Sequence, residues 1–315
     1  ANVRSDTRAV LGVVGKGYRP LQNHEAYAFM DDVVGAGLAK YETAGCLQEG
    51  KRVWLLCRLP RELKAGKADT ILPYGLLCNG HDGSLAVHVQ PTSVRVVCQN
   101  TLSLALSTST AQKLRIKHTS SLRGRVDEAR AAFGLVNEAM DDFQAQIDAL
   151  ARVSLPETRL QNYFEALFPV KRKPRPAEEP VGVGQDFIAE LLAEQRERAR
   201  GVGADFVEEL LTRREETRGV GRELVEEYLD ATSKNNAKVI ETLRTNYHNA
   251  TNTLPGVQGT AWAAYNAVSE YADHQRTTRG RNDRERADNR LNSIWFGSAN
   301  DLKQKAFAGA LALAE

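Results

Sequence analysis

Lys113, Arg115 and Lys117 alternate with Leu114 and Ile116. Strand residues two apart share a face, so an extended segment here sets three cations in a row with apolar residues opposite. Arg123 and Arg125 follow at the start of the next expected helix, and Ala111 to Arg130 holds six basic side chains against two acidic ones. Such a row can follow a phosphate backbone. It can equally be a solvated edge strand, where lysine discourages edge-to-edge pairing. Arg95, between Val94 and Val96, is a further candidate phosphate contact. A second basic group carries arginine at 276, 279, 281, 284, 286 and 290, against Asp283, Glu285 and Asp288. Gly280 and Asn282 mark a loop in it. Arg276, Arg279 and Arg281 suit phosphate contact there, and they suit salt bridges to an acidic segment of the same chain equally well. Trp295 and Phe296 beyond the loop are core residues or, if exposed, a platform on which a base stacks.

Other chemistry finds no constellation. The chain has no G-x-S-x-G elbow. Its cysteines, Cys46, Cys57, Cys78 and Cys98, form no C-x-x-C pair, and three lie in apolar, strand-like runs. They read as reduced and mostly buried thiols, which points to the cytoplasm. His81, His88, Cys78 and Cys98 could gather around one hairpin but lack familiar zinc spacing. His24-Glu25 reads as a charge arrangement at a helix start. Asp31 and Asp32 diverge on a helix. We therefore expect no cofactor and no metal, and a binding protein rather than an enzyme.

The elements that must position these residues come from periodicity. Of 315 residues, 42% are hydrophobic and 26% charged, a globular composition with a net charge of +2. No run approaches the ~18 apolar residues of a membrane span, and no signal peptide is visible. Asn23 starts a helix whose apolar positions Ala26, Phe29, Met30, Val33 and Val34 share a face, ended by Gly35 and Gly37. Strands are expected at Val53–Cys57, Thr70–Cys78 and Leu85–Val89, with Asn79-Gly-His-Asp-Gly-Ser84 as a hairpin turn. Ser93–Cys98 extends or follows the last of them. Gln99–Ser107 reads as a short helix, and Lys113–His118 as a strand. A long helix capped by Ser120 or Ser121 carries a heptad seam from Leu122 through Phe133, Val136, Met140, Phe143 and Ile147 to Leu150. That seam lies against the same chain or makes a subunit contact. The fold class is α+β: a mainly antiparallel, hairpin-rich αβββα core backed by the long helix, with a helical C-terminal part.

Four segments follow: an α+β core over 1–170, a basic proline-rich linker over 171–180, an acidic repeat over 181–232, and a helical region over 233–315 that packs on the core. The repeat begins Gly-Val-Gly at Gly182, Gly201 and Gly219, each copy continuing as a short amphipathic helix. Residues 178–230 hold 15 acidic and 7 basic side chains. The repeat is a set of solvated helical turns or a protein-binding arm. It is no phosphate loop, because no strand precedes it and no Lys-Ser/Thr follows.

Three stretches carry a resemblance. They are Leu11–Asn23; Asn79–Ser84 with Val94–Leu102, which includes Val97-Cys-Gln-Asn-Thr-Leu102; and Gly259–Trp262 with Tyr271–His274 and Trp295–Ser298. In this order they resemble the phage/plasmid-like protein family catalogued as domain of unknown function 932, over about 1–170 and 233–315. The acidic repeat lies outside the resemblance. Family members carry further N-terminal sequence, and Ala1 in place of Met points to a processed or trimmed chain. The resemblance implies residence on mobile elements in a bacterial host cell. Many such elements encode a single-strand annealing recombinase, built on a hairpin sheet backed by a helix and assembled into oligomers. The expected function is single-stranded DNA binding and annealing in recombination by a homo-oligomer. Its contacts are Lys113, Arg115, Lys117, Arg123, Arg125, Arg95, Arg276, Arg279 and Arg281. The alternative is a protein-interaction module working through 181–232, such as an inhibitor of a host defence factor or a replication accessory.

Overall fold

Strands buried on both faces need apolar residues at both parities, and the run Ile71–Cys78 supplies them. In the computed structural model, which describes residues 1–16, 18, 20–83, 88–97, 99–102, 122–170 and 220–314, that run becomes the central strand of an antiparallel sheet. The chain forms two units, Ala1–Leu167 with Glu241–Glu315, and Phe168–Ile240. In the first unit a small hairpin, β1 (Asn2–Val3) and β2 (Val10–Gly12), leads to helix α1 (Asn23–Gly35). The main sheet comprises β3 (Lys40–Leu47), β4 (Arg52–Arg58), β5 (Leu63–Ala65), β6 (Asp69–Gly80), β7 (His88–Arg95) and β8 (Thr101–Leu102). Its order is β3-β4-β6-β7-β8, with β5 paired to the first residues of β6 beyond the end of β4. Helices α2 (Leu122–Arg152) and α3 (Glu157–Leu167) follow. Then come α4 (Val220–Tyr247), α5 (Ala261–Glu270), α6 (Asp283–Phe296) and α7 (Ser298–Leu311). The architecture is α+β, as the periodicity implies. No helix among the described residues is long and apolar enough to cross a membrane. In the second unit the described residues are chiefly the first part of α4, where the Asn236 amide donates to the Pro169 carbonyl at 2.8 Å.

Strand alternation sorts the core into two layers. On one face Leu76 and Cys78, with Trp54 and Leu56, pack against Ile294, Trp295 and Ala299 of α6 and α7. The Trp54 and Trp295 rings meet edge to face at 4.9 Å, so Trp295 belongs to the core. On the other face Ser93 touches Met140 of α2. Val136, Met140, Phe143, Ile147 and Leu150 are all fully buried, and α2 contacts α1, α5, β5 and β7. This half of the heptad seam is thus used within the chain.

Two expectations change. Thr101 and Leu102 pair with Val94 and Ser93 as a strand, so the helix read over Gln99–Ser107 does not begin there. Gln99 takes a φ of 56° in the tight turn between β7 and β8. The sheet also gains β3, an edge strand whose mostly exposed side chains give no apolar alternation.

Arg95 ends β7 with no exposed surface, and its role is a correction to the expected phosphate contact. Its Nε donates to Asp69 Oδ2 at 2.6 Å, its Nη1 to Asn252 Oδ1 at 2.7 Å, and its Nη2 to the Thr251 carbonyl. The Trp262 indole donates to the same Asp69 oxygen at 2.9 Å. Burial lifts the Asp69 carboxyl above its ordinary range, against the pull of Arg95 and Trp262. A buried pair broken on one side strands a charge at a cost of about 3–5 kcal/mol. Asp69→Ala is therefore expected to lose that much in urea unfolding, and Asp69→Leu with Arg95→Met to lose clearly less than the two single changes together. A loss below about 1 kcal/mol for Asp69→Ala would show that the pair is not a structural anchor.

Candidate functional site

The arginine group lies where α5 gives way to a loop. Helix α5 runs into a π turn, Tyr271–Gln275, closed by the Arg276 amide on the Tyr271 carbonyl at 2.9 Å. Such turns hold one residue more than a helix turn and concentrate at functional sites. Asp273 within the turn is anchored from three sides. Its Oδ2 accepts the Thr101 amide at 2.7 Å and the Thr101 hydroxyl at 2.6 Å. Its Oδ1 accepts Lys303 Nζ at 2.9 Å. The buried Lys303 places its other two bonds on Thr101 Oγ1 and the Thr101 carbonyl. Burial lowers the Lys303 ammonium from its ordinary range, and Asp273 opposes that shift. A second clamp joins Gln275 to Asn246 by two amide bonds of 2.9 Å. The turn that launches Arg276 is therefore fixed at both ends.

Arg276, Arg279 and Arg290 line a cavity of about 290 Å³. Ala272, Thr277, Thr278, Asn289, Ser293 and Ser298 also line it, and among the described residues no Asp or Glu does. Arg290 is steered by the π turn, donating through Nη1 to the Asp273 carbonyl at 2.9 Å. Arg276 Nη1 is buried and makes no hydrogen bond among the described residues. The cavity also meets the start of α7, where the Ser293 hydroxyl accepts the Ala299 amide at 3.2 Å. Gly280 shapes the loop: a Cβ there would lie 2.6 Å from the Arg286 amide nitrogen.

The neighbouring arginines differ. Arg281 pairs with Glu285 at 3.0 Å and Arg286 with Asp283 at 2.5 Å. Hydrogen bonds from the Arg281 amide and guanidinium hold the Glu285 carboxyl below its ordinary range. Arg281 and Arg284 border a second cavity whose wall also holds Glu49, Glu285 and Asp288. The structure thus brings Arg276 and Arg279 together, adds Arg290, and sets Arg281 apart in a charge-balanced surrounding. Lys113, Arg115 and Lys117 lie outside the described residues, as do the side chains of Arg123 and Arg125. Among the described residues no three His, Cys, Asp or Glu side chains could share a metal ion.

The family model described as Domain of unknown function (DUF932) matches residues 10–295. The chain belongs to that family. No curated protein and no solved structure matches it. In this DUF932 chain the stretches that carry the resemblance meet one another. Thr101 reaches Asp273, and Trp262 shares Asp69 with Arg95. Asn23 reaches the hairpin: its Oδ1 accepts the Asn79 amide at 3.0 Å and lies 2.8 Å from His81 Nε2. The Tyr18 hydroxyl donates to the Gly80 carbonyl. Sequence reasoning overlooked Asp69 and Lys303, which no local motif marks, gave Asp273 no role although Tyr271–His274 carries the resemblance, and noted Arg290 only as one arginine of six. The three cavity arginines fall at intervals of three and eleven residues, and only the π turn and α6 bring them together.

His81 is buried, and burial holds its imidazole below the ordinary 6.5. The unfolded chain therefore takes up this proton first as pH falls. The stability is fully present above 6.5 and is lost as pH falls through the depressed folded value. His81→Gln is expected to flatten the fall in urea midpoint between neutral and mildly acidic solution. An unchanged slope in that variant would remove His81 from the acid response.

Proposed function

We propose that this protein binds single-stranded nucleic acid through phosphate contacts, without a cofactor, and promotes strand annealing in recombination of a mobile element. The observation that carries the binding reading is the cavity bounded by Arg276, Arg279 and Arg290, with no Asp or Glu among the described residues that line it. Guanidinium donors grip phosphate oxygens in pairs, and a buried guanidinium nitrogen without a partner is costly until an acceptor arrives. The site is recessed. A flexible strand can turn a phosphate into it, whereas a duplex presents its phosphates on a stiff convex rod. Annealing and the mobile element rest on the family resemblance, a fold-level analogy. The strand-like row Lys113, Arg115, Lys117 supplies a second set of cations in the same reading.

The test is fluorescence anisotropy with labelled single-stranded and duplex DNA across a salt series. Single strands are expected to bind more tightly, with log affinity falling linearly against log salt. Arg279→Ala should weaken binding and reduce that slope by about 0.7, with an unchanged circular dichroism spectrum. Wild-type affinity and slope in Arg276→Ala/Arg279→Ala would sink the site, and preference for duplex would sink the single-strand reading.

A further inference from the structure

Among the phosphates a strand can offer, the cavity is suited to one kind. An internal phosphodiester carries one negative charge and two free oxygens, and its chain must leave the site in both directions. A phosphate monoester at a strand end carries about −1.5 to −2 charges and three acceptor oxygens, with a single exit. Arg276, Arg279 and Arg290 present three guanidiniums around about 290 Å³ with no Asp or Glu among the described lining residues. That is more positive charge than one phosphodiester matches. Two of the three are oriented by the fold before any ligand arrives. Arg290 is tied to the Asp273 carbonyl, and Arg276 follows the clamped π turn with Nη1 already buried. The hydroxyls of Thr277, Thr278 and Ser298 on the same wall are donors that a third phosphate oxygen can use. Preorganised donors favour the ligand that engages all of them, because their ordering cost is already met.

We infer that this cavity is a subsite for a strand-terminal phosphate, so that the protein recognises phosphorylated ends of single strands. This rests on the nucleic-acid reading above.

Oligodeoxynucleotides of one sequence, labelled internally, would carry a phosphate on one end, on the other end, or on neither. Anisotropy titrations with the full chain at moderate salt give three affinities. Because it adds a charge-assisted hydrogen bond, a phosphorylated end is expected to bind about tenfold or more tightly than a hydroxyl end. Arg276→Ala should erase that preference. Arg279→Gln, at an exposed position, should reduce it and guards against a folding defect in the first variant. Equal affinity for all three strands overturns the inference and leaves the nucleic-acid reading standing. Failure to bind any strand at low salt overturns both.

Discussion

A guanidinium and an ammonium lie fully buried where the sheet meets the C-terminal helices, and every hydrogen-bond donor they carry must find an acceptor there. Arg95 meets Asp69, Asn252 and the Thr251 carbonyl; Lys303 meets Asp273 and Thr101. These acceptors come from β6, β8, the loop after α4 and the π turn after α5. Apolar contact between a sheet and helices tolerates sliding, since burial has little directional preference. Two buried cations do not, because a shift of an ångström leaves charge without partners. The pairs therefore fix the register between layers that the Trp54–Trp295 and Phe143–Trp262 contacts merely hold together.

The cavity inherits that register. Arg276 leaves the π turn immediately after Asp273 and Gln275, the two residues through which the turn is tied to Thr101, Lys303 and Asn246. Arg290 approaches from α6 and is seated on the Asp273 carbonyl. Helix α6 is itself held to the sheet by Trp295 and by Asp288, which accepts the Gln48 amide at 3.0 Å. Asp273 thus anchors, through its carboxylate, the turn that Arg276 leaves and seats Arg290 through its backbone carbonyl. Arg281 and Arg286 answer to local carboxylates three or four residues away. That local pairing separates Arg281 and Arg286 from the three arginines whose cavity has no Asp or Glu among its described lining.

Local elements were legible because their signals are local. Helix α1 begins at Asn23 and ends at Gly35 as its apolar spacing requires, and β4 and β6 follow their apolar runs. Arg95 shows where such reading stops. In sequence it is a cation in a strand, like Lys113 or Arg115. Its burial depends on Asp69 and Asn252, far away along the chain, and on a strand face covered by α2 and α5. Thr101 shows the same limit: the Gln99 turn at positive φ sends the chain back along β7, and nothing in the short apolar run distinguishes that from a helix start. Of the site, the arginine loop was readable as a basic cluster. Which of its members keep an unpaired charge was not, since this depends on how far α6 carries Arg290 from Asp283 and Glu285.

Whole-chain charge conceals this difference. The net charge is only +2, yet residues 178–230 hold 15 acidic and 7 basic side chains, so the rest of the chain is about ten charges positive. Even within that remainder the distribution is uneven, as the balanced cavity around Arg281 shows. At physiological salt, exposed charges beyond about 8 Å are largely screened. A polyanion reaching the surface therefore responds to the local balance within one cavity. Three guanidiniums on one wall, with no acidic residue among its described lining, form a positive local field, and the fold directs the Asp273 carboxylate away to Lys303 and Thr101.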